Sequence, residues 1–321
     1  MSTNDVKNAQ DLKKIGTYLS NKWKVLLTRH NEDLLSRAIL KVTSPKSKCP
    51  NEKHMERLLL YTYELGSVLM EYSRALRSGG YSKDKRSLHE INSKIIDELE
   101  TRLHTHQWTV VLKTLIVLHR LMKDGSSGFQ QVLCSRNGIF CVSKMKDLSD
   151  VYYGRSIHRF VRRYAMSLEE RLTTTREIST QLGTFCNLDD FSKWKTYILT
   201  SKEDIVWILP SLLSYLESIL QILIYPNTID NPVVALAWMF LAQDIKQVVH
   251  LLSEVILIYI ESRPIKQESR EILLTAVERY NMGIENAQTL LTRLHQVSPA
   301  FGFPTRLQTV PMDTLQNILN L

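Results

Sequence analysis

The sequence predicts an all-α protein, an irregular α-solenoid or helical bundle of about ten antiparallel helices. Apolar residues recur every three or four positions along almost the whole chain, and no long stretch shows the strict alternation of a strand. The 11 glycines and 9 prolines among 321 residues are too few for the many turns of an all-β chain. No repeat of fixed period is present, which favours an irregular solenoid over a consensus repeat array.

The helices predicted in the first third of the chain cover 6–24, 32–43, 53–76 and 87–103. The first is amphipathic, with apolar residues near one face at Val6, Leu12, Ile15, Leu19 and Trp23. Such a helix either inserts at a membrane interface or packs on the solenoid. The third is expected to end at Gly79-Gly80, because glycine readily adopts the left-handed conformation that closes a helix.

The remaining helices are predicted at 107–124, 127–135, 151–173, 203–224, 230–262 and 267–297. A glycine- and serine-rich tight turn over 124–128 joins the first two of these. Pro226 ends the 203–224 helix, and Asp230 is expected to cap the next one with Pro232 in its first turn. Pro264 then ends that helix.

The apolar segment 205–225 is long enough to span a bilayer. It contains Pro210, Glu217 and Gln221, and a carboxylate at the bilayer centre costs about 2.5–3.5 kcal/mol. A buried core helix is therefore predicted there. The chain divides into an amphipathic helix at 1–24, a helical solenoid at 25–297 and a short C-terminal tail at 298–321.

The net charge of +8 is concentrated near the start of the chain. Residues 1–60 hold twelve Lys/Arg against six Asp/Glu, a net of +6, which suits acidic lipid headgroups or nucleic acid. The four cysteines show neither Cys-x-x-Cys pairing nor zinc spacing, so no metal or cofactor is expected and a cytoplasmic protein with reduced thiols is the simplest account. A glycine-rich phosphate loop and a Gly-x-Ser-x-Gly elbow are both missing, which argues against an enzyme.

The most informative segment is 41–54, between two helical segments. Pro45 and Pro50 forbid continued helix, so an exposed loop is predicted. That loop and its two flanks carry the basic residues Lys41, Lys46, Lys48, Lys53 and His54. A solvated basic loop is the plain interpretation of the charge alone.

The spacing is more specific than the charge. Lys41-x-Thr43, Pro50 and Lys53-His54 resemble, without a gap, the phosphoinositide signature of the ANTH domain of clathrin assembly proteins: Lys-Ala-Thr, six residues, Pro-Lys-x-Lys-His. Val42 replaces the alanine, and Asn51 replaces the first lysine after the proline, which removes one phosphate-facing cation. Lys46 and Lys48 lie in the variable stretch and offer replacement charge.

Two further segments carry the resemblance. Residues 108–125 resemble the family's central helix, Trp-x-Val-x-x-Lys-x-Leu…His-x-Leu-Met-x-x-Gly, and 160–164 resemble Phe-Ile-Arg-Arg-Tyr. The similarity spans roughly residues 25–297. Within these segments His119 is interpreted as a satisfied core histidine. Arg162-Arg163 are interpreted as partners in intramolecular ion pairs or helix caps, and a lipid or partner contact is the alternative.

The resemblance implies a phosphoinositide-binding membrane adaptor in clathrin-mediated endocytosis, peripheral on the plasma membrane and on clathrin-coated pits and vesicles. It implies that phosphatidylinositol 4,5-bisphosphate or a related phosphoinositide is held on an exposed basic surface: Lys41, Lys46, Lys48, Asn51, Lys53 and His54. Clathrin or coat adaptors are implied as partners, and in some relatives a SNARE helix, for which the helices from 203 onward could supply a groove.

Two other classes stay open on the residues. A protein-interaction scaffold without lipid binding is favoured by the asparagine at position 51. A nucleic-acid-binding helical protein agrees with the basic charge, but the aromatic residues follow helix-core spacing and do not alternate with the lysines, so no nucleic acid is expected.

Overall fold

The computed structural model describes residues 34–63, 87–145, 154–182, 187–189, 206–262, 267–298, 301 and 307–312. Its α-helices are α1 (Leu34–Val42), α2 (Glu52–Thr62), α3 (Leu88–Leu103), α4 (Trp108–Asp124), α5 (Ser127–Cys134), α6 (Gly154–Gln181), α7 (Ile208–Leu220), α8 (Pro226–Ile229), α9 (Pro232–Ser262) and α10 (Gln267–Val297). A 3-10 turn covers Val142–Lys144, and these ranges contain no strand. The all-α prediction is confirmed.

Six predicted helices recur with ends that differ by at most two residues, namely α1, α3, α4, α5, α9 and α10. The glycine- and serine-rich turn between α4 and α5 is also confirmed. The helix predicted at 6–24, the Gly79-Gly80 stop and the Pro264 stop lie outside the described residues.

The helix predicted over 53–76 does not run through; α2 ends at Thr62, and Tyr63 has extended backbone. Thr62 is buried, its hydroxyl accepts from the Ser126 amide at 3.1 Å, and its carbonyl accepts from the Ser126 hydroxyl. The Tyr63 hydroxyl donates to the Asp124 carbonyl at 2.8 Å. These contacts with the α4–α5 turn are made by residues far apart in sequence, which is why periodicity alone missed the stop.

Three boundaries in the second half also differ from the prediction. α6 continues to Gln181, and α7 covers only Ile208–Leu220, with Pro210 in its first turn, where a missing N–H costs nothing. Pro226 begins the short helix α8, which the sequence did not reveal. Asn231, not Asp230, caps α9, because its Oδ1 accepts from the Val233 amide at 3.0 Å.

α4 is the central element of the described fold, since 14 of its 17 residues are buried on all faces. It contacts α1, α2, α3, α5, α6 and α9. The segment of α9 from Pro232 to Glu261 has the length and composition of a membrane span, but 56% of its apolar 18-residue window is buried inside the protein. It packs on α4, α7 and α10, so it serves as a core helix here.

A buried polar cluster, the Asp244 cluster, joins four helices of this core. The fully buried Asp244 carboxylate on α9 accepts from His119 Nε2 at 2.7 Å and from Lys123 Nζ at 2.5 Å, both on α4. Its Oδ2 also accepts from the Tyr215 hydroxyl on α7 and lies 3.4 Å from Arg171 Nη1 on α6. A charge that is buried away from water must be paired in this way. The cluster therefore fixes how far these helices are shifted along their axes relative to one another.

The protons of the cluster can be assigned. Burial lowers the pKa of His119 against the attraction of Asp244, which favours the neutral ring. Nε2–H then donates to Asp244, and Nδ1 accepts from the Tyr164 hydroxyl at 2.8 Å. Burial would raise the pKa of Asp244, but His119, Arg171 and Lys123 together hold it well below its usual value. The interpretation of His119 as a satisfied core histidine is confirmed.

Replacing Asp244 by asparagine keeps the shape but leaves Lys123 and Arg171 with only Asp189 as a carboxylate partner among the described residues. We expect the Asp244→Asn variant to lose about 3–5 kcal/mol of unfolding free energy in denaturant titrations, because a broken buried pair leaves an uncompensated charge. Lys246→Ala, an exposed position two residues further along α9, is the control and should change it by less than about 0.5 kcal/mol. An Asp244→Asn variant as stable as this control would contradict the role of the cluster.

Candidate functional site: the basic loop between α1 and α2

The predicted site residues lie at the junction of α1 and α2, which we call the basic loop (residues 41–54). Lys41 is in the last turn of α1, Lys46 and Lys48 are in the bend, and Lys53 and His54 are in the first turn of α2. The four lysines and Asn51 are exposed, and His54 is half-buried. The prediction of an exposed loop at this place is confirmed.

The pKa of His54 depends on the charges that the fold brings close to its ring. Burial is the largest cause of its lowered pKa, followed by the positive charges of Arg57, Lys53, Lys41 and Arg37. Lys41 and Lys53 therefore act on one imidazole although they belong to different helices. Arg37 and Arg57 add charge that the sequence interpretation missed; their spacing of four residues from Lys41 and Lys53 places them on the same helix faces.

The bend is held by a buried lysine from α4. Lys113 is 1% exposed, and its Nζ donates to the carbonyls of Ser44 at 2.9 Å and Lys46 at 2.7 Å. The Thr109 hydroxyl, one turn earlier, donates to the Pro45 carbonyl at 3.0 Å. Three consecutive carbonyls of the bend are thereby turned inward, so the loop is fixed on the core.

Thr43 of the signature has a structural role. It is fully buried, and its hydroxyl donates to the Ile39 carbonyl at 2.7 Å. Arg102 of α3 donates to the Thr43 hydroxyl from Nε and to the Thr43 carbonyl from Nη2, both at 3.0 Å. This contact closes the C-terminal end of α1 and fixes the position of Lys41, two residues earlier.

The basic side chains of the loop are available to an external anion. Within the described ranges, the ammonium groups of Lys41, Lys46, Lys48 and Lys53 form no ion pair with a carboxylate. The buried Nδ1 of His54 has no hydrogen-bond partner there either. Asn51 begins α2 with extended backbone and makes no side-chain cap. The His54 amide donates to the Asn51 carbonyl at 3.0 Å, and the amides of Glu52 and Lys53 are left for another acceptor.

Comparison with known proteins agrees with this fold. The family model described as the ANTH domain matches residues 85–317. The chain belongs to the ANTH domain family. The matched segment begins after the basic loop, so membership depends on the part of the chain from α3 onward, and the loop of this ANTH domain is assigned from its own residues and contacts.

Relatives of this ANTH domain are named as clathrin assembly proteins. The clathrin coat assembly protein AP180 of Homo sapiens is 26% identical over 216 residues, which cover 66% of this chain and 20% of that protein. The phosphatidylinositol-binding clathrin assembly protein of Rattus norvegicus is 25% identical over 215 residues, 65% of this chain and 28% of that protein. The chain thus matches less than a third of the length of these curated relatives.

A solved structure called "Structure of the endocytic adaptor complex AENTH" also aligns. The alignment covers 87% of this chain and 100% of the other at 15% identity, with a TM-score of 0.43.

Replacing Lys113 by methionine tests what holds the bend. Methionine keeps an apolar stem but cannot donate, so the Ser44 carbonyl loses the donor that Lys113 supplies and the Lys46 carbonyl keeps only the Lys48 amide at 2.8 Å. A buried carbonyl left without a donor costs about 1–3 kcal/mol. We expect amide hydrogen exchange over residues 44–48 to become faster in Lys113→Met. Lys94→Met on the partly exposed face of α3 is the control and should leave that exchange unchanged. Unaltered protection of 44–48 in Lys113→Met would show that the bend does not depend on this lysine.

Proposed function

We propose that this ANTH-domain protein is a phosphoinositide-binding membrane adaptor of clathrin-mediated endocytosis, and that the basic loop is its headgroup site. One observation carries the proposal: exposed ammonium groups of Lys41 and Lys53, from two helices, act on the imidazole of His54 and form no ion pair within the described ranges, on a loop that Lys113 holds to the core. A fold gains nothing from concentrating like charge in this way, so an external polyanion is the natural counterpart.

The exposed position of the site favours a membrane lipid. Lys41 and Lys53 are exposed at helix ends and His54 is half-buried beside them, so a headgroup would rest on the surface while its acyl chains stay in the bilayer. The open amides at the start of α2 and the positive end of its dipole favour phosphate at the same place. Lysine ammoniums act as point charges on the ring phosphates, and His54 can donate a further hydrogen bond.

The missing cation at Asn51 lowers the expected affinity for a headgroup. The expected class of ligand stays the same. Each lysine near an anionic bilayer contributes about 1 kcal/mol, so the remaining four give moderate membrane binding. Lys46 and Lys48 supply part of what Asn51 lacks. Stable residence on a membrane then requires a second contact or a coat lattice, since linked weak contacts multiply.

The coat partner is proposed from the relatives. Their names place them in clathrin coat assembly, and one of them is named for phosphatidylinositol binding. We therefore propose clathrin or a coat adaptor as partner, and a cytoplasmic location on the plasma membrane, coated pits and coated vesicles. A SNARE helix as a further partner stays a prediction, as does membrane insertion of residues 6–24, which lie outside the described residues.

Vesicle co-sedimentation tests the headgroup site. Lys41→Glu with Lys53→Glu should lower binding to vesicles that contain phosphatidylinositol 4,5-bisphosphate by at least about tenfold, because two favourable charges become repulsive. The matched control is Lys144→Glu with Lys246→Glu, an equal charge change at exposed positions outside the loop, which should reduce binding far less. Equal binding by the loop variant and wild type would refute the assigned site.

A further inference from the structure

A second basic surface lies on α6, outside the basic loop. A cavity of about 1020 Å³ is lined by the first half of α6 and by the segment that follows α7. We call it the arginine groove and define it by Arg159, Arg162, Arg163, Leu223 and Tyr225. None of these residues belongs to the basic loop or to the side chains that hold it.

The charge of the arginine groove is of one sign. Its lining includes three arginines and His158, and none of its lining residues is acidic. Residues 154–168 of α6 contain four arginines, and the first carboxylate of the helix is Glu169. Within the described ranges Arg162 and Arg163 form no ion pair, so the expected intramolecular pairing of these two is not found there. Arg163 instead donates to the Gln221 amide oxygen at 3.0 Å, which ties α6 to the segment after α7.

Apolar side chains stand beside these arginines. Leu223 is 61% exposed and Met166 is 45% exposed, and both line the groove together with the half-buried Tyr225. This combination of side chains is typical of proteins that enter a bilayer interface. Apolar atoms such as those of an exposed leucine contact the acyl boundary, and a tyrosine ring lies at headgroup depth. Guanidinium groups contact the phosphates.

The arginine groove lies toward the same end of the molecule as the basic loop. α4 starts at that loop, where Lys113 binds the bend, and α9 also starts there, since Cys49 Sγ lies 3.3 Å from the Pro232 carbonyl. α6 runs parallel to α9. Phe160 packs on Trp238 with ring centroids 5.5 Å apart, and eleven residues further along α6 Arg171 reaches the Asp244 cluster. The first turns of α6 therefore point toward the basic loop.

We propose that the arginine groove is a second membrane contact, which binds headgroup phosphates of acidic lipids while Leu223 and Tyr225 enter the interface. The inference rests on the proposed function, because it supplies the additional contact that moderate binding by the basic loop requires. A shared end favours a lipid surface over an acidic peptide as the partner, since a single bilayer can meet both basic surfaces at once.

The test uses the full chain and three variants. Arg159→Glu with Arg163→Glu reverses the groove, Leu223→Ser removes the apolar contact without changing charge, and Lys144→Glu with Lys246→Glu is the charge-matched control. Binding is measured on phosphatidylcholine vesicles with phosphatidylserine alone and with phosphatidylinositol 4,5-bisphosphate added, and circular dichroism confirms that each variant is folded. The groove reversal should weaken binding to both acidic vesicles at least about tenfold. Leu223→Ser should weaken it several-fold, and the control should change it little.

The outcomes separate this inference from the headgroup site. Vesicle binding that stays at wild-type level in both groove variants, while the Lys41 and Lys53 reversal weakens it, overturns the second contact and leaves the headgroup site standing. The opposite pattern overturns the headgroup site and supports the groove. A groove reversal that binds vesicles normally but no longer binds an acidic amphipathic peptide bound by wild type would show a protein-docking surface and overturn the lipid contact.

Discussion

The buried ammonium of Lys113 is the contact on which the basic loop depends. Taking an ammonium out of water is costly, and burial lowers the pKa of this group accordingly. Two loop carbonyls replace the lost water, and a third is held by Thr109. The inward carbonyls leave the exposed side of the bend to lysine side chains. The buried charge of Lys113 thus determines where the exposed lysines of the bend lie.

The Asp244 cluster is a second set of buried charges, and it positions the helices of the described core. It joins α4, α6, α7 and α9 at one level, so their relative heights are fixed by hydrogen bonds as well as by apolar packing. Because α4 and α9 both start at the basic loop, the level of the cluster also sets how far α6 reaches toward that loop. The two basic surfaces therefore have a defined spatial relation, which is what simultaneous contact with one flat bilayer requires.

Local patterns in the sequence predicted much of this structure. Helical periodicity located most of the helices, and Pro45 and Pro50 marked the exposed loop. The resemblance to the ANTH signature indicates Lys41, Asn51, Lys53 and His54 as site residues, and Lys46 and Lys48 are added for their charge. What periodicity could not give were contacts between distant residues, such as the end of α2 at Thr62, where Ser126 binds the last turn. Pro226 indicates a helix break, but proline is also well suited to begin a helix, as it does in α8.

The supporting residues of the site were missed for a related reason. Lys113 and Arg102 lie some 60 residues after the bend that they hold, so no local pattern connects them with it. A signal was present for Lys113, because a lone lysine within an apolar helix must find acceptors when it is buried. Arg37 and Arg57 could have been found by following the faces of α1 and α2 one turn from the signature lysines.

The most direct test of the headgroup site is the ionisation of His54, followed by NMR of its ring protons with and without soluble inositol 1,4,5-trisphosphate and assigned with His54→Gln. In the free protein burial and four cations lower its pKa below the usual value of about 6.5. A phosphate among those cations favours the imidazolium, so the pKa of His54 should rise when the headgroup binds, and binding should take up a proton. A saturating headgroup that leaves the pKa of His54 unchanged would contradict the account, because the anion would then be bound somewhere other than the basic loop.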